Sequence, residues 1–310
     1  MYTAIAFLLL GLLVLIIGGE FLLKGAVGIA KKFRISSLVI GMTVVAFGTS
    51  APEFIVSLNS VLQGHPEIAI SNVVGSNIAN LALVLGLTCI VFPVVVSRNT
   101  KTLDFPKMMF ATLLFLVFAY DGVIERWEGM TLLVALITFI VYIVRNSIKH
   151  AHVAEDMEPA PPIRISALFL LIGLVGLYFG SDWFLNGAVN LARQLGMTEH
   201  VIGVTIVAFG TSVPELVTSI VAAMKKETDI SIGNLIGSNV FNISAVVGIT
   251  AIVSPVSIQN NLFNFDMYWL IGIPILLFLL MWRNKIGRLS GSLLFGTYVA
   301  YIMATLFWPL

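Results

Sequence analysis

Charge is scarce in this sequence. Only 11% of its 310 residues are Asp, Glu, Lys or Arg, and they nearly cancel, to a net charge of +1. Without a basic field there is nothing to attract nucleic acid. Cysteine is scarcer: Cys89 stands alone inside an apolar run. It can form no intrachain disulfide and is expected to pack as a small hydrophobe. A leader is also missing by its usual signs. No basic residue precedes the opening apolar run, residues 4–17, and no small-residue cleavage pattern follows it, so the run is expected to be a retained helix. A counterpart recurs at residues 167–179, deep inside the chain.

What fills the chain is apolar. Hydrophobic residues make up 58%, and the mean hydropathy is +1.01. These values exclude an ordinary soluble domain and indicate an all-α polytopic protein whose solvent is the lipid bilayer. A span needs about 20 largely apolar residues. Ten transmembrane helices are predicted, at residues 3–23, 36–62, 68–96, 105–121, 127–145, 163–184, 199–223, 230–256, 266–282 and 289–308. Gly and Pro interrupt the second, third, seventh and eighth. The one clearly polar linker, residues 146–162, carries Glu155, Asp156, Glu158 and three prolines. The expected organisation is a first repeat over 1–145, this short cytoplasmic linker, and a second repeat over 163–310.

The halves are copies. GMTVVAFGTSAPEFIVS (41–57) and NVVGSNIANLALVLG (72–86) reappear as GVTIVAFGTSVPELVTS (203–219) and NLIGSNVFNISAVVG (234–248), offset by 162 throughout. The same offset relates GGEFLLKGAVGIA (18–30) to GSDWFLNGAVNLA (180–192), Pro93 to Pro255 and Asn99 to Asn261. Five spans per half is odd, so the halves are expected in inverted orientations, a plan common among secondary transporters. Positive charge agrees. With both termini extracellular, fifteen of the seventeen Lys and Arg residues fall on cytoplasmic connections, leaving only Arg126 and Arg193 outside.

Each copy sets a carboxylate, Glu53 or Glu215, among hydroxyls and amides in apolar sequence. Ionisable groups within a membrane are costly and mark ion or substrate paths. Pro52 lacks a backbone donor and should free carbonyls near Ala46 and Gly48. On a helix Thr49, Ser50 and Glu53 share a face, as do Ser76 and Asn80. Thr211, Ser212, Glu215, Ser238 and Asn242 repeat the arrangement. The donors are all oxygen, which suits a hard cation such as calcium, and no thiolate or paired His favours a soft metal. One divalent ion, or two or more monovalent ions, would neutralise both glutamates. Crossing empty would leave two unpaired charges or require protons, so the site suits exchange, and protons should compete at acidic pH.

The twin GTSxPE segments, each followed by GSN(I/V)xN, resemble the α-repeats of sodium/calcium exchangers of prokaryotic type, within the calcium/cation antiporter superfamily. The resemblance covers essentially the whole transmembrane chain. It implies calcium efflux driven by sodium entry across the cell membrane, by alternating access, with no cofactor beyond the transported ions and no obligatory protein partner. Carried over by motif position, the ion ligands would be Thr49, Ser50, Glu53, Ser76, Asn80, Thr211, Ser212, Glu215, Ser238 and Asn242, with the carbonyls of Ala46 and Ala208. Asn72 and Asn234 are weaker candidates. In such relatives the first and sixth helices are thought to slide; here they are rich in glycine (Gly11, Gly18, Gly19; Gly173, Gly176, Gly180). Potassium-dependent members, and some prokaryotic relatives, carry aspartate where this chain has Asn242, which argues against potassium co-transport. Proton/calcium members carry GNxxE in place of GTSxPE. The linker has no room for a regulatory calcium-binding domain. A calcium/proton exchanger and a passive cation channel are the alternatives. No nucleophile–base or metal-hydrolase constellation points to an enzyme.

Other polar residues carry plainer readings. Thr43 and Thr205 are expected to bond their own backbone, while Ser57 and Ser219 stand between that role and ion binding. Glu20 and Asp182 are helix-boundary or gating-helix residues, and Lys24 snorkels to the interface. His150 and His152 belong to a solvated linker, and His65 and His200 to the interface.

Overall fold

A computed structural model describes residues 1–150, 161–197, 206, 208–258 and 262–307. In chain order the helices are α1 (Tyr2–Phe33), α2 (Ser37–Thr49), α3 (Ala51–Leu62), α4 (Pro66–Val91), α5 (Thr100–Asp121), α6 (Arg126–His150), α7 (Ile163–Gln194), α8 (Ala208–Thr211), α9 (Val213–Met224), α10 (Thr228–Val253), α11 (Leu262–Arg283) and α12 (Arg288–Phe307). Among the described residues, eight helices are long and apolar enough to cross a membrane. The pair α2–α3, bent by 46° between Thr49 and Ala51, makes a ninth. The protein is an all-α, multi-pass membrane protein.

Local chemistry sets the boundaries. Arg34, in the left-handed region at φ 54°, closes α1 by turning its N–H back to the Ala30 and Lys31 carbonyls. Ser36 then caps α2, its hydroxyl accepting from the Val39 N–H at 3.3 Å. Pro66 opens α4, where a missing N–H costs nothing. Both α1 and α7 run to 32 residues, about ten beyond the spans expected at 3–23 and 163–184. No breaker follows the apolar stretch in either, so the helix continues through Lys31 and Lys32 at one end and Arg193 at the other. Residues 198–205 and 207 lie outside the described residues, as do Thr205, His200 and Asn261 and most of the linker, including His152.

Burial sorts the helices into layers. The most apolar windows of α4 and α10 are 83% and 78% buried, against 28% and 22% for α1 and α7. Thus α4 and α10, which carry the GSN motifs, form the centre, and α1 and α7 pack on the outside. A heptad row of glycines joins the outer pair. A Cβ at Gly11, Gly18 or Gly25 would come within 2.4, 2.9 or 2.5 Å of the α7 backbone, and one at Gly173, Gly180 or Gly187 within 2.4, 2.8 or 2.5 Å of α1. The helices touch backbone to backbone, which only glycine permits.

Two-residue straps tie the halves together. β1 (Val94–Val95) pairs antiparallel with β4 (Lys285–Ile286), and β2 (Val123–Ile124) with β3 (Val256–Ser257). At the 162 offset β1 corresponds to β3 and β2 to β4, so each strap joins one half to the other.

Candidate ion-binding site

The site starts from two matched breaks. Ser50 (φ −85°, ψ 6°) separates α2 from α3, and Ser212 (φ −88°, ψ 5°) separates α8 from α9. In each copy proline is the second residue of the following helix, and without an N–H it cannot bond the carbonyl four residues back. That carbonyl is Gly48 in one copy and Gly210 in the other. Gly210 instead accepts from the Ser181 hydroxyl of α7 at 3.4 Å. Ala46 is not released: its carbonyl accepts the Ser50 N–H at 3.0 Å. The freed position is therefore the one four residues before proline. Ala208 opens α8.

Glu53 and Glu215 each sit third in the new helix, near the positive end of its dipole. They are 1% and 0% exposed, and the charge of Glu215 acts on Glu53. Ser50 of the first copy donates to Glu215 Oε1 at 3.1 Å, and Ser238 donates to the same oxygen at 3.4 Å. Thr49 donates to Asn234 Oδ1 at 3.1 Å and lies 3.4 Å from the Ser238 hydroxyl. Ser76, Asn80, Thr211, Ser212 and Asn242 are buried as well. Cross-copy contacts thus gather residues from the α2–α3 break, α9 and α10 around one carboxylate.

The remaining oxygens are what make the cluster unusual. Both oxygens of Glu53, Oε2 of Glu215, Oδ1 of Asn80 and Asn242, and the hydroxyls of Thr211 and Ser212 are buried with no hydrogen-bond partner among the described residues. A buried polar atom left unsatisfied costs about 1–3 kcal/mol, and seven of the eleven such atoms among the described residues lie on the two copies of the motif. All seven are oxygens, and all but the two hydroxyls can only accept. A set of this kind fits a hard cation bound through carboxylate, amide and hydroxyl oxygen. Among the described residues no three His, Cys, Asp or Glu side chains gather, so the two glutamates supply the site's charge and neutral oxygens the rest.

The residues given a lesser place in the sequence find partners too. Asn72 donates to the Ser57 hydroxyl at 2.9 Å and to the Glu53 carbonyl at 3.2 Å. Asn234 matches it by donating to Ser219 at 3.5 Å. Both serines accept from a neighbouring asparagine, which is a supporting contact. Thr43 bonds its own backbone, to the Val39 carbonyl at 2.7 Å. Glu20 pairs with Lys225 at 3.4 Å, and Asp182 accepts from Asn186 at 3.1 Å. Asn77 and Asn239 were visible in the duplicated GSN triplets, but nothing in spacing alone gave them a role.

Helices of membrane length wrapped around a buried, oxygen-rich carboxylate pair define an integral membrane protein with a polar core of ion-binding chemistry. The chain belongs to the sodium/calcium exchanger family: the model of that family, described as "Sodium/calcium exchanger protein", matches residues 3–145 and 165–307. The uncharacterized membrane protein MJ0091 of Methanocaldococcus jannaschii is 36% identical over 301 residues, covering 96% of each chain. The sodium/calcium exchanger MaX1 of Methanosarcina acetivorans is 29% identical over 344 residues, again 96% of each. Among solved structures, the sodium-calcium exchanger NCX_Mj soaked with zero Na+ and Ca2+ superposes with a TM-score of 0.85 at 32% identity, covering 98% of this chain and 99% of its own.

Proposed function

We propose that this protein is a secondary antiporter that exchanges sodium for calcium, and that the buried oxygen cluster is its transport site. One observation carries the reading: Glu53 and Glu215, on opposite halves, both keep partnerless buried oxygens, and the Ser50–Glu215 hydrogen bond joins the two motif segments that carry them. The relatives named as sodium/calcium exchangers supply the ions. Calcium between the two carboxylates balances both charges. Thr49, Ser50, Ser76, Asn80, Thr211, Ser212, Ser238 and Asn242, with the Ala208 carbonyl and the second lone pair of the Ala46 carbonyl, whose first accepts the Ser50 N–H, complete the oxygen set for calcium or sodium. Two sodium ions or more restore the same neutrality, whereas the empty site would carry two charges through low dielectric. Exchange is favoured over one-way leak for that reason.

The architecture proposed is ten spans in two inverted halves, 1–145 and 163–310, joined by a cytoplasmic linker at 146–162. Three features support it. α8 and α9 repeat the broken pair α2–α3 at the 162 offset. Each strap pairs strands that the ten-span count puts on one membrane face, β1 with β4 inside and β2 with β3 outside. The lysines and arginines segregate as the count requires. Both termini then lie outside the cell membrane. The glycine seam makes α1 and α7 one unit on the outer surface of the core, suited to move as a gate.

The test is calcium flux in sealed vesicles holding the purified chain, under opposed sodium and proton gradients. Uptake driven by an outward sodium gradient is expected. Uptake driven by protons alone, or without any counter-ion, would overturn sodium/calcium exchange in favour of a proton exchanger or a channel.

A further inference from the structure

Four asparagines meet where α4 crosses α10, and only two of them, Asn80 and Asn242, belong to the proposed oxygen set. The other two, Asn77 and Asn239, exchange reciprocal bonds. Asn77 Nδ2 donates to the Asn239 backbone carbonyl at 3.3 Å, and Asn239 Nδ2 donates to the Asn77 carbonyl at 3.3 Å. A backbone carbonyl accepts and cannot donate, so each of these amides is fixed with its nitrogen toward the carbonyl and its oxygen the other way. Asn77 Oδ1 then receives Asn242 Nδ2 at 3.2 Å, and Asn239 Oδ1 receives Asn80 Nδ2 at 3.1 Å. The same logic passes one step further. With their nitrogens held, Asn80 and Asn242 present Oδ1 away from the clasp, and those two oxygens lack a partner among the described residues.

We propose that Asn77 and Asn239 are positioning residues which set the amide orientation of Asn80 and Asn242, so that each turns oxygen and not nitrogen toward the transported cation. This rests on the ion-site reading above. All four side chains are at most 3% exposed, so no bulk water can replace a lost partner. Turning the Asn242 amide over would set oxygen against oxygen at the clasp and aim an N–H pair at the cation. The control is reciprocal: Asn77 of the first half orients the ligand of the second, and Asn239 of the second orients that of the first. Each half therefore completes the other's site. An aspartate at position 242 would present oxygen to the cation whichever way it turned, while leaving Asn77 Oδ1 without its donor.

A double-variant cycle on the full-length reconstituted protein tests this, reading half-saturating calcium for exchange and calcium affinity by calorimetry. Asn77→Leu, nearly isosteric, is expected to raise half-saturating calcium about tenfold or more. In an Asn242→Asp background the same change is expected to cost no more than about twofold, because the ligand no longer needs turning. A merely structural role for Asn77 would weaken binding equally in both backgrounds, and that result overturns the proposal, as does no loss in either. Should Asn77→Leu fail to fold, Asn239→Leu with and without Asn80→Asp is the mirror cycle. Glu53→Gln, run alongside, separates the two levels. Loss of calcium binding there with no coupling in the cycle sinks only the orientation role, whereas normal binding there sinks the ion site itself.

Discussion

Ser50, from the first half of the chain, donates its hydroxyl to Oε1 of Glu215, from the second, at 3.1 Å. The two residues are 165 positions apart, and both are buried. This bond makes one cluster of the two copies, and the behaviour of the two carboxylates follows from it.

Glu53→Gln and Glu215→Gln each remove one of the two charges that balance calcium while keeping the side chain's volume. Both variants should fold and melt within a few degrees of the parent, yet show sodium-driven calcium uptake no greater than empty vesicles. Normal exchange by either purified variant would remove that glutamate from the site.

Protons should compete with calcium. A protonated carboxyl is neutral, carries a donor and cannot balance a cation. Calcium uptake is therefore expected to fall as pH is lowered and to recover, at fixed acid pH, when calcium is raised. Measuring half-saturating calcium across a pH series checks this. An acid effect on maximal rate alone, with half-saturation constant, would contradict it.

The glycine seam predicts a position-dependent cost. A Cβ at Gly25 would lie 2.5 Å from the Leu170 backbone nitrogen, whereas one at Gly272 meets nothing within 4 Å. Gly25→Val should force α1 from α7 and destabilise by about 1–3 kcal/mol or more, with transport lost. Gly272→Ala, inside α11, should leave the melting temperature level or raise it. Thermal melts of both in detergent decide the matter.

Topology can be read by labelling. Val95 and Ser257 are equivalent at the 162 offset, lie on exposed strap positions, and are assigned to opposite faces. The native Cys89 is fully buried, so background is low. A membrane-impermeant thiol reagent applied to intact cells should modify Ser257→Cys and spare Val95→Cys until the membrane is opened. Modification of both from one side would contradict inverted halves.

Much of this was legible because the chain states it twice. The 162 offset and a polar residue inside apolar sequence sufficed to single out Glu53, Glu215 and their neighbours. Other features had no such signal. The π-helical turns at Gly41–Val45, Ala79–Val84 and Asn242–Val247 bracket the site, yet a widened turn depends on tertiary contacts and leaves no mark on hydrophobic period. The straps are two residues long, too short for alternation to register. The lengths of α1 and α7 were underestimated because hydropathy reports the lipid-spanning part of a helix and not its extension past Lys31. The carbonyl at Ala46 was expected to be freed along with that at Gly48. Proline removes one donor, and the bond it cancels is the one to Gly48, while Ala46 keeps the Ser50 N–H. Asn77 and Asn239 were in plain view in GSN, but their work is in the direction of a hydrogen bond, which sequence does not encode.

The central claim is that Glu53 and Glu215 hold one cation between them. Crystals of the full chain soaked in calcium, then in sodium, test it most directly. The account predicts calcium density in contact with oxygens of both carboxylates, replaced by weaker sodium density after exchange. Calcium bound elsewhere, with the space between these two side chains unchanged across the soaks, would contradict it.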